Sequence, residues 1–166
     1  MQPGENTLLC RCIYSEKHPG LEAMYILGDF GVKLDGNDGV ITAKNEKLSI
    51  GDISGQGYPF YSGNITYSFQ VPPQAKEVEI TSFKGAVASV RYQNMVLPPV
   101  INAPGEITLP PGGGNLEITI CISPRNLFGP FYWPGKLSSC GPDQFTCTKN
   151  PVRQLTEAGL TDISIN

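Results

Sequence analysis

The chain has 166 residues, a formal net charge of -3 at pH 7, only 16% charged residues, and as many as 19 Gly and 15 Pro. This length suits a single hydrophobic core, and few charges with many turn-forming residues favour an all-β domain. Without a long cluster of Lys or Arg the chain has little to neutralise phosphates, so nucleic acid is not expected as a partner.

Neither end nor middle of the chain contains a membrane signal. No apolar run reaches the roughly 18 residues that a bilayer-crossing helix needs. Residues 1–5 lack both the basic and the apolar part of a signal peptide. We therefore expect a soluble chain without a signal peptide or a membrane partner, and the sequence predicts no compartment.

The first 47 residues are predicted to form N-terminal strands. Residues 8–14 and 23–27 are apolar and are bounded by Pro-Gly turns, as short strands are. Residues 35–39 contain two Asp-Gly pairs, Asp35-Gly36 and Asp38-Gly39, and such pairs favour tight hairpin turns. They are predicted as a hairpin tip that leads into a strand at residues 40–42.

Four later segments show the alternation of a half-buried strand. The clearest is residues 65–71, where apolar side chains alternate with polar ones at a period of two. Residues 77–80, 86–92 and 116–122 continue the pattern. In residues 86–92, Val90 and Tyr92 or their neighbours are predicted to face inward. The side chains predicted to face the core are Ile65, Tyr67, Phe69, Val71, Val78, Ile80, Val90, Tyr92, Leu116, Ile118, Ile120 and Ile122.

Proline and glycine pairs separate these segments. Pro72-Pro73, Pro98-Pro99 and residues 110–114 are expected to lie between strands, since proline cannot donate to a strand ladder. Strands at this spacing predict a sandwich or jelly roll whose connections cross between sheets. Residues 152–159 are the one stretch with a helical pattern, and they are short for a stable helix.

The five cysteines are an odd number, so at least one is free or pairs between chains. Cys10 and Cys12 alternate along a predicted strand and are expected to be buried as small apolar side chains. Cys140 and Cys147 have a spacing that suits a loop disulfide or a metal. A structural or incidental role is the preferred interpretation for all of them.

Several motifs resemble one protein family. They are Gly51-Asp52, the run GYPFYSGNITY at residues 57–67, and SPRNLFGP at residues 123–130. Residues 25–32 and 3–8 extend the similarity over most of the chain. Together they resemble the galactose-binding-like β-sandwich near the C-terminal end of large bacterial glycoside hydrolases. Proteins similar to α-L-rhamnosidases, and sugar-binding relatives of the β-galactosidase families, come closest.

The resemblance implies an antiparallel β-sandwich of jelly-roll, galactose-binding-domain-like type. Residues 1–166 would form one domain, with N-terminal strands in 1–47 and the galactose-binding-like core in 48–166. It also implies that the chain is a fragment of a longer enzyme, in which it serves as a non-catalytic accessory domain. The expected partner is carbohydrate or the catalytic domain of the parent glycoside hydrolase.

Catalytic machinery is not evident in the sequence. Glycoside hydrolysis needs two facing carboxylates, and most of the 15 acids lie in predicted turns or on the solvent face of strands. No nucleophile elbow or phosphate-binding loop is present either. No catalytic residue is therefore assigned.

A calcium site is the one cofactor that the sequence suggests. Its candidate ligands are the side-chain oxygens of Asp29, Asp35, Asn37 and Asp38, although their spacing does not match an EF-hand. An ordinary turn is the preferred interpretation, so neither metal nor cofactor is assigned.

The aromatic loop at residues 123–144 holds the candidate carbohydrate site. Sugar recognition combines an aromatic plane with amide, carboxylate or guanidinium groups for the hydroxyls. The residues that supply such a set are Arg125, Asn126, Phe131, Tyr132, Trp133 and Gln144. The alternative is that the aromatic side chains cap the open end of the sandwich while Arg125 and Asn126 satisfy loop carbonyls.

Three interpretations follow from the sequence. The chain is a structural domain of a glycoside hydrolase, a carbohydrate-binding module that uses the aromatic loop, or an independent carbohydrate-active enzyme with an unrecognised carboxylate pair. Exposure of Tyr132 and Trp133 in a shallow groove would favour the second, and two facing acids in a deep cleft would favour the third.

Overall fold

The computed structural model describes residues 4–13, 15–17, 24–36, 38–128 and 155–166, and the backbone of residues 131–132 and 152–153. Strands prevail in these ranges. They are β1 (Gly31–Asp35), β2 (Asp38–Thr42), β3 (Gly63–Val71), β4 (Glu77–Lys84), β5 (Val87–Tyr92), β6 (Met95–Val100), β7 (Gly105–Thr108), β8 (Gly114–Ile122), β9 (Phe131–Tyr132), β10 (Val152–Arg153) and β11 (Gly159–Ile165). The all-β fold class is confirmed.

Two antiparallel sheets form a sandwich. One has the strand order β3-β8-β5-β6 and the other has the order β11-β4-β7. The chain crosses from one sheet to the other at most connections, while β5 and β6 pair as neighbours in the same sheet. These crossings are the feature that the spacing of the strands predicted.

The core lies between the two sheets and follows the predicted alternation. β3 pairs with β8 along its full length, from Gly63 opposite Ile122 to Val71 opposite Gly114. Of the side chains predicted to face inward, Ile65 and Phe69 are half-buried against the core and the others are buried. Full burial of one large aliphatic side chain contributes roughly 1.5–3 kcal/mol, so this alternation largely accounts for the stability of the sandwich.

The hairpin predicted at residues 35–42 is confirmed. β1 and β2 pair in antiparallel register, with Asp35 opposite Asp38 at the tip. Gly36 has a φ of 61°, which glycine adopts without steric cost. The hairpin forms a two-stranded sheet of its own.

The strands predicted before this hairpin are wrong in the described residues. Residues 8–13 and 24–27 form neither strand nor helix, while Tyr14 and Ala23 lie outside the described residues. Cys10 and Cys12 are exposed, not buried. Apolar alternation alone does not make a strand, because its backbone groups also need a partner ladder.

Pro98-Pro99 was expected between strands but lies inside β6. This strand is at the edge of its sheet, where its outer side needs no ladder partner. The pairing with β5 also shifts by one residue between Ala88 and Val90, which places the two prolines at a bulge. Edge position and bulge together explain why proline is tolerated here.

Helix is a minor component of the described residues, as the sequence predicts, and the helical pattern at residues 152–159 does not produce a helix in those of them that are described. Val152–Arg153 pairs with Phe131–Tyr132, residues 155–158 are not helical, and β11 begins at Gly159. The amide of Ile53 donates to the carbonyl of Ala158 at 2.9 Å, so a long-range contact overrides the weak local propensity. α1 (Arg125–Phe128) follows β8. Within the described residues, no helix has the length and apolarity to cross a bilayer.

Candidate functional site

A shallow groove lies at the end of the sandwich where β4 turns into β5. Residues 83–86 form one wall, and the end of β8, α1 and residues 156–158 form the other. The groove has a volume of about 340 Å³. We call it the end groove, and it contains Arg125 and Asn126, two of the residues predicted to contact sugar.

Asn126 is committed to an internal contact. Its side-chain nitrogen donates to the carbonyl of Thr156 at 2.8 Å, and its side-chain oxygen accepts from the amide and the hydroxyl of Thr156 at 2.9 Å each. The side chain is 7% exposed and is the one buried polar residue among those described. Asn126 therefore holds residues 155–158 against α1, as buried polar groups normally satisfy one another.

Asp52 holds the same segment from the opposite side. Its Oδ1 accepts from the amides of Ser54 and Ala158, at 3.0 Å each. The hydroxyl of Ser54 donates to the carbonyl of Thr156 at 3.4 Å. The contact of Asp52 with Ala158 and that of Ser54 with Thr156 join residues 106 and 102 positions apart, and both hold the groove wall formed by residues 156–158.

The remaining polar side chains of the end groove point outward. Lys84, Ser123, Arg125 and Glu157 are all exposed. At the end of α1, three residues after Arg125, the ring of Phe128 is 55% exposed and meets the ring of Tyr25 edge to face, with centroids 5.3 Å apart and planes at 82°. Phe128 is not among the described residues that line the end groove.

The other predicted sugar contacts cannot be placed in this groove. Phe131 and Tyr132 belong to β9, and only their backbone pairing with β10 is described. Trp133 and Gln144 lie outside the described residues, as do Cys140 and Cys147. The structure thus brings Arg125 and Asn126 together on α1, and the aromatic part of the predicted site stays a prediction.

A second groove runs along the outer edge of β3. It has a volume of about 570 Å³ and lies between residues 46–50 and residues 65–69. Leu48 packs against the core here, together with Ile65 and Phe69. Among the described lining residues, this groove contains one acid, Glu46, and the end groove contains one, Glu157.

The candidate calcium ligands are spread over the β1–β2 hairpin and the residues before it. Asp29 forms an ion pair with Lys44 at 2.8 Å. The hydrogen bond to Asp29 and the charge of its carboxylate raise the pKa of Lys44 above its ordinary value. Asn37 lies outside the described residues, and within the described ones no three His, Cys, Asp or Glu side chains converge as metal ligands. The interpretation of these residues as an ordinary turn, with calcium binding as the alternative, stays a prediction.

Sequence reasoning missed Asp52 and Thr156, the two residues that anchor this end of the sandwich with Asn126. Asp52 does carry a local signal, because an Asp two residues before a Ser commonly accepts the backbone amide there. Thr156 carries none, since its contacts come from Asn126 and Ser54, which are 30 and 102 positions away.

Comparisons with known proteins identify no family. No protein-family model and no curated protein matches the chain. Among solved structures, the chain is similar to a GH2 β-galacturonidase from Eisenbergiella tayi bound to glycerol, with 19% identity and a TM-score of 0.41, over 57% of this chain and 17% of that chain. The same enzyme bound to galacturonate gives 18% identity and a TM-score of 0.39, over 54% of this chain and 17% of that one. This chain thus spans a small part of the enzyme's length, and a likeness of this degree supports no conclusion about function.

Proposed function

We propose that this chain is a non-catalytic accessory β-sandwich domain of a larger glycoside hydrolase, with a structural role. The observation that carries the structural role is the pairing of Asn126 with Thr156. Three hydrogen bonds use the amide group that the sequence assigned to sugar binding. A side chain committed in this way supports the fold and has little capacity left for a ligand.

The distribution of acids supports the absence of catalysis. Retaining and inverting glycosidases both place a pair of carboxylates about 5–10 Å apart around the scissile bond. Each of the two grooves contains one acid among its described lining residues, Glu46 in one and Glu157 in the other. The described lining of neither groove therefore offers the pair that hydrolysis requires.

Two features support the context of a larger hydrolase. The sequence resemblance at residues 57–67 and 123–130 points to a sandwich appended to such enzymes. In addition, large apolar side chains are exposed before the sandwich, at Leu8, Leu9, Ile13, Met24, Tyr25, Ile26 and Leu27. Large exposed apolar patches mark protein–protein contacts, and we assign these side chains to a contact with the catalytic domain of the parent enzyme.

Carbohydrate binding in the end groove is the second candidate. It is favoured by the cationic groups of Arg125 and Lys84 in the groove and by the exposed ring of Phe128 at the end of the same helix as Arg125. Rings of this kind cover the apolar face of a pyranose, while guanidinium and hydroxyl groups bind its hydroxyls.

Two measurements on the full chain test the proposal. Aryl α-L-rhamnosides, β-D-galactosides and β-D-galacturonides should be hydrolysed no faster than in buffer. Turnover that disappears in Glu157→Gln or Glu46→Gln would show an enzyme and overturn the proposal.

Calorimetric titration with the corresponding oligosaccharides separates the two candidates. A structural domain gives no binding heat with any of them. Saturable binding that is lost in Arg125→Ala, but kept in the exposed control Arg91→Ala on β5, would establish the binding module instead. Both variants change exposed side chains, so both are expected to fold.

A further inference from the structure

Two sulfur atoms, those of Cys10 and Met24, lie close together in the residues before the sandwich, and Cys12 belongs to the same stretch of chain. The thiol of Cys10 donates to the thioether sulfur of Met24 across 3.7 Å. Cys12 is two residues further on in a segment that is not helical. All three side chains are exposed, so an ion in solution has direct access to them.

We propose that Cys10, Cys12 and Met24 bind a soft monovalent metal ion, Cu⁺. The proposal concerns a site that is separate from both grooves, and it does not depend on the accessory role of the domain. Binding would release the two thiol protons to solvent and leave one ion held by two thiolates and one thioether.

The distance between the sulfurs fits a shared ion. With metal–sulfur bonds of about 2.3 Å, as for zinc thiolates, two ligands at the corners of a trigonal site lie about 4 Å apart. The observed separation of Cys10 Sγ and Met24 Sδ is 3.7 Å. These two ligands therefore need little movement. The proposed third ligand is the exposed Cys12, two residues from Cys10 in the same non-helical segment.

The chemistry of the donors selects the ion. Thiolate and thioether are soft ligands that favour Cu⁺, whereas protein zinc sites are built from Cys, His, Asp and Glu. Within the described residues no three side chains of those four types converge. The thioether of Met24 is thus the feature that distinguishes a Cu⁺ site from a zinc site here.

The test is an anaerobic titration of the reduced full chain with Cu⁺ in competition with bicinchoninate. The wild-type chain should bind one equivalent of Cu⁺ tightly, and equimolar Zn²⁺ should not displace it. Met24→Leu keeps every thiol and a similar side-chain volume. It should weaken the affinity for this Cu⁺ ion by at least about tenfold, because losing even a partner outside the ligand shell costs about that much. Cys10→Ser should abolish this tight binding.

Cys121→Ser is the matched control, because this half-buried thiol lies on β8 and should leave the tight equivalent unchanged. Equal affinities in the wild-type chain, Met24→Leu and Cys10→Ser would overturn the proposal. Displacement of Cu⁺ by equimolar Zn²⁺ would also overturn it, since a site that prefers zinc does not use the thioether.

Discussion

The hydroxyl of Tyr67 accepts a hydrogen bond from the backbone amide of Leu160 at 3.2 Å. Tyr67 lies on β3 and Leu160 on β11, so this bond joins the edge strands of the two sheets. Both side chains are buried, and Leu160 is fully buried. The contact closes the side of the sandwich along which the second groove runs.

Removing this hydroxyl should destabilise the fold. Tyr67→Phe leaves the amide of Leu160 without its partner in the core, and we expect a loss of about 1–2 kcal/mol in the free energy of unfolding. Urea denaturation measures the change. Tyr61→Phe is the control, since that hydroxyl donates to the carbonyl of Asn64 at the surface and its loss should cost about 0.5 kcal/mol or less. Equal losses in the two variants would contradict the role of Tyr67.

The stability of the fold should fall at alkaline pH because of the same residue, Tyr67. Burial raises the pKa of Tyr67 in the folded chain, and the hydrogen bond from Leu160 lowers it to a smaller extent. Tyrosine in the unfolded chain ionises near pH 10, so the unfolded state loses its proton first and stability falls as pH rises from about 10 towards the folded pKa. Below that range the contribution is complete. Unfolding free energies at pH 8–11 should decline more steeply in the wild-type chain than in Tyr67→Phe, and parallel curves would refute this.

Loss of the Asn126 side chain should also destabilise the sandwich. Asn126→Ala leaves the backbone amide and carbonyl of Thr156 without their partner, with an expected cost of about 2–3 kcal/mol. Asn64→Ala, an exposed change on β3, should stay within about 0.5 kcal/mol. Thermal and urea unfolding of both variants measure the difference. A neutral Asn126→Ala would remove the basis for the structural role proposed for this domain.

Two substitutions of Asp52 test whether its hydrogen-bond acceptor or its charge stabilises the fold. Asp52→Ala removes the acceptor of two backbone amides and should cost about 1–3 kcal/mol. Asp52→Asn keeps an oxygen in the same place and should recover most of that loss. Urea midpoints of the two variants give the comparison, and equally unstable variants would show that the charge, not the acceptor, matters.

A methyl group at Gly85 should disturb the core. A Cβ there would lie 2.5 Å from Cγ2 of Ile120 and 2.8 Å from the carbonyl of Cys121, and the second atom is backbone that cannot move aside. Gly85→Ala should therefore cost about 1–3 kcal/mol by overpacking. Gly55→Ala, where a Cβ would meet nothing within 4 Å, should be close to neutral in the same unfolding assay. If Gly85→Ala has no effect on stability, the β4–β5 turn can move enough to accommodate the added methyl group, and the close packing argued here is wrong.

Sequence patterns predicted the central strands because their burial strictly alternates. β3 and β8 pair in unbroken register, and every second residue reaches the core. β11 was missed because its register with β4 shifts twice, between Leu160 and Asp162 and again before Ser164, which breaks the period of two. Local alternation reveals a strand only where the pairing is regular.

The candidate site was less predictable than the strands. Arg125 and Asn126 were predicted as sugar contacts because residues 123–144 are an unusual aromatic segment, and that prediction stays untested. The hydrogen bonds of Asn126 depend on Thr156, a residue brought in by the fold. Their juxtaposition results from long-range backbone contacts such as that between Ile53 and Ala158, which no local pattern records.

The prolines of β6 have a consequence beyond their tolerance at an edge. Pro98 and Pro99 have no amide proton, so this strand lacks donors that another chain would need to pair with it continuously. Proteins guard the margins of their sheets in this way against unwanted polymerisation. Val96 and Ile101, exposed beside the prolines, can therefore remain in water without recruiting a further strand.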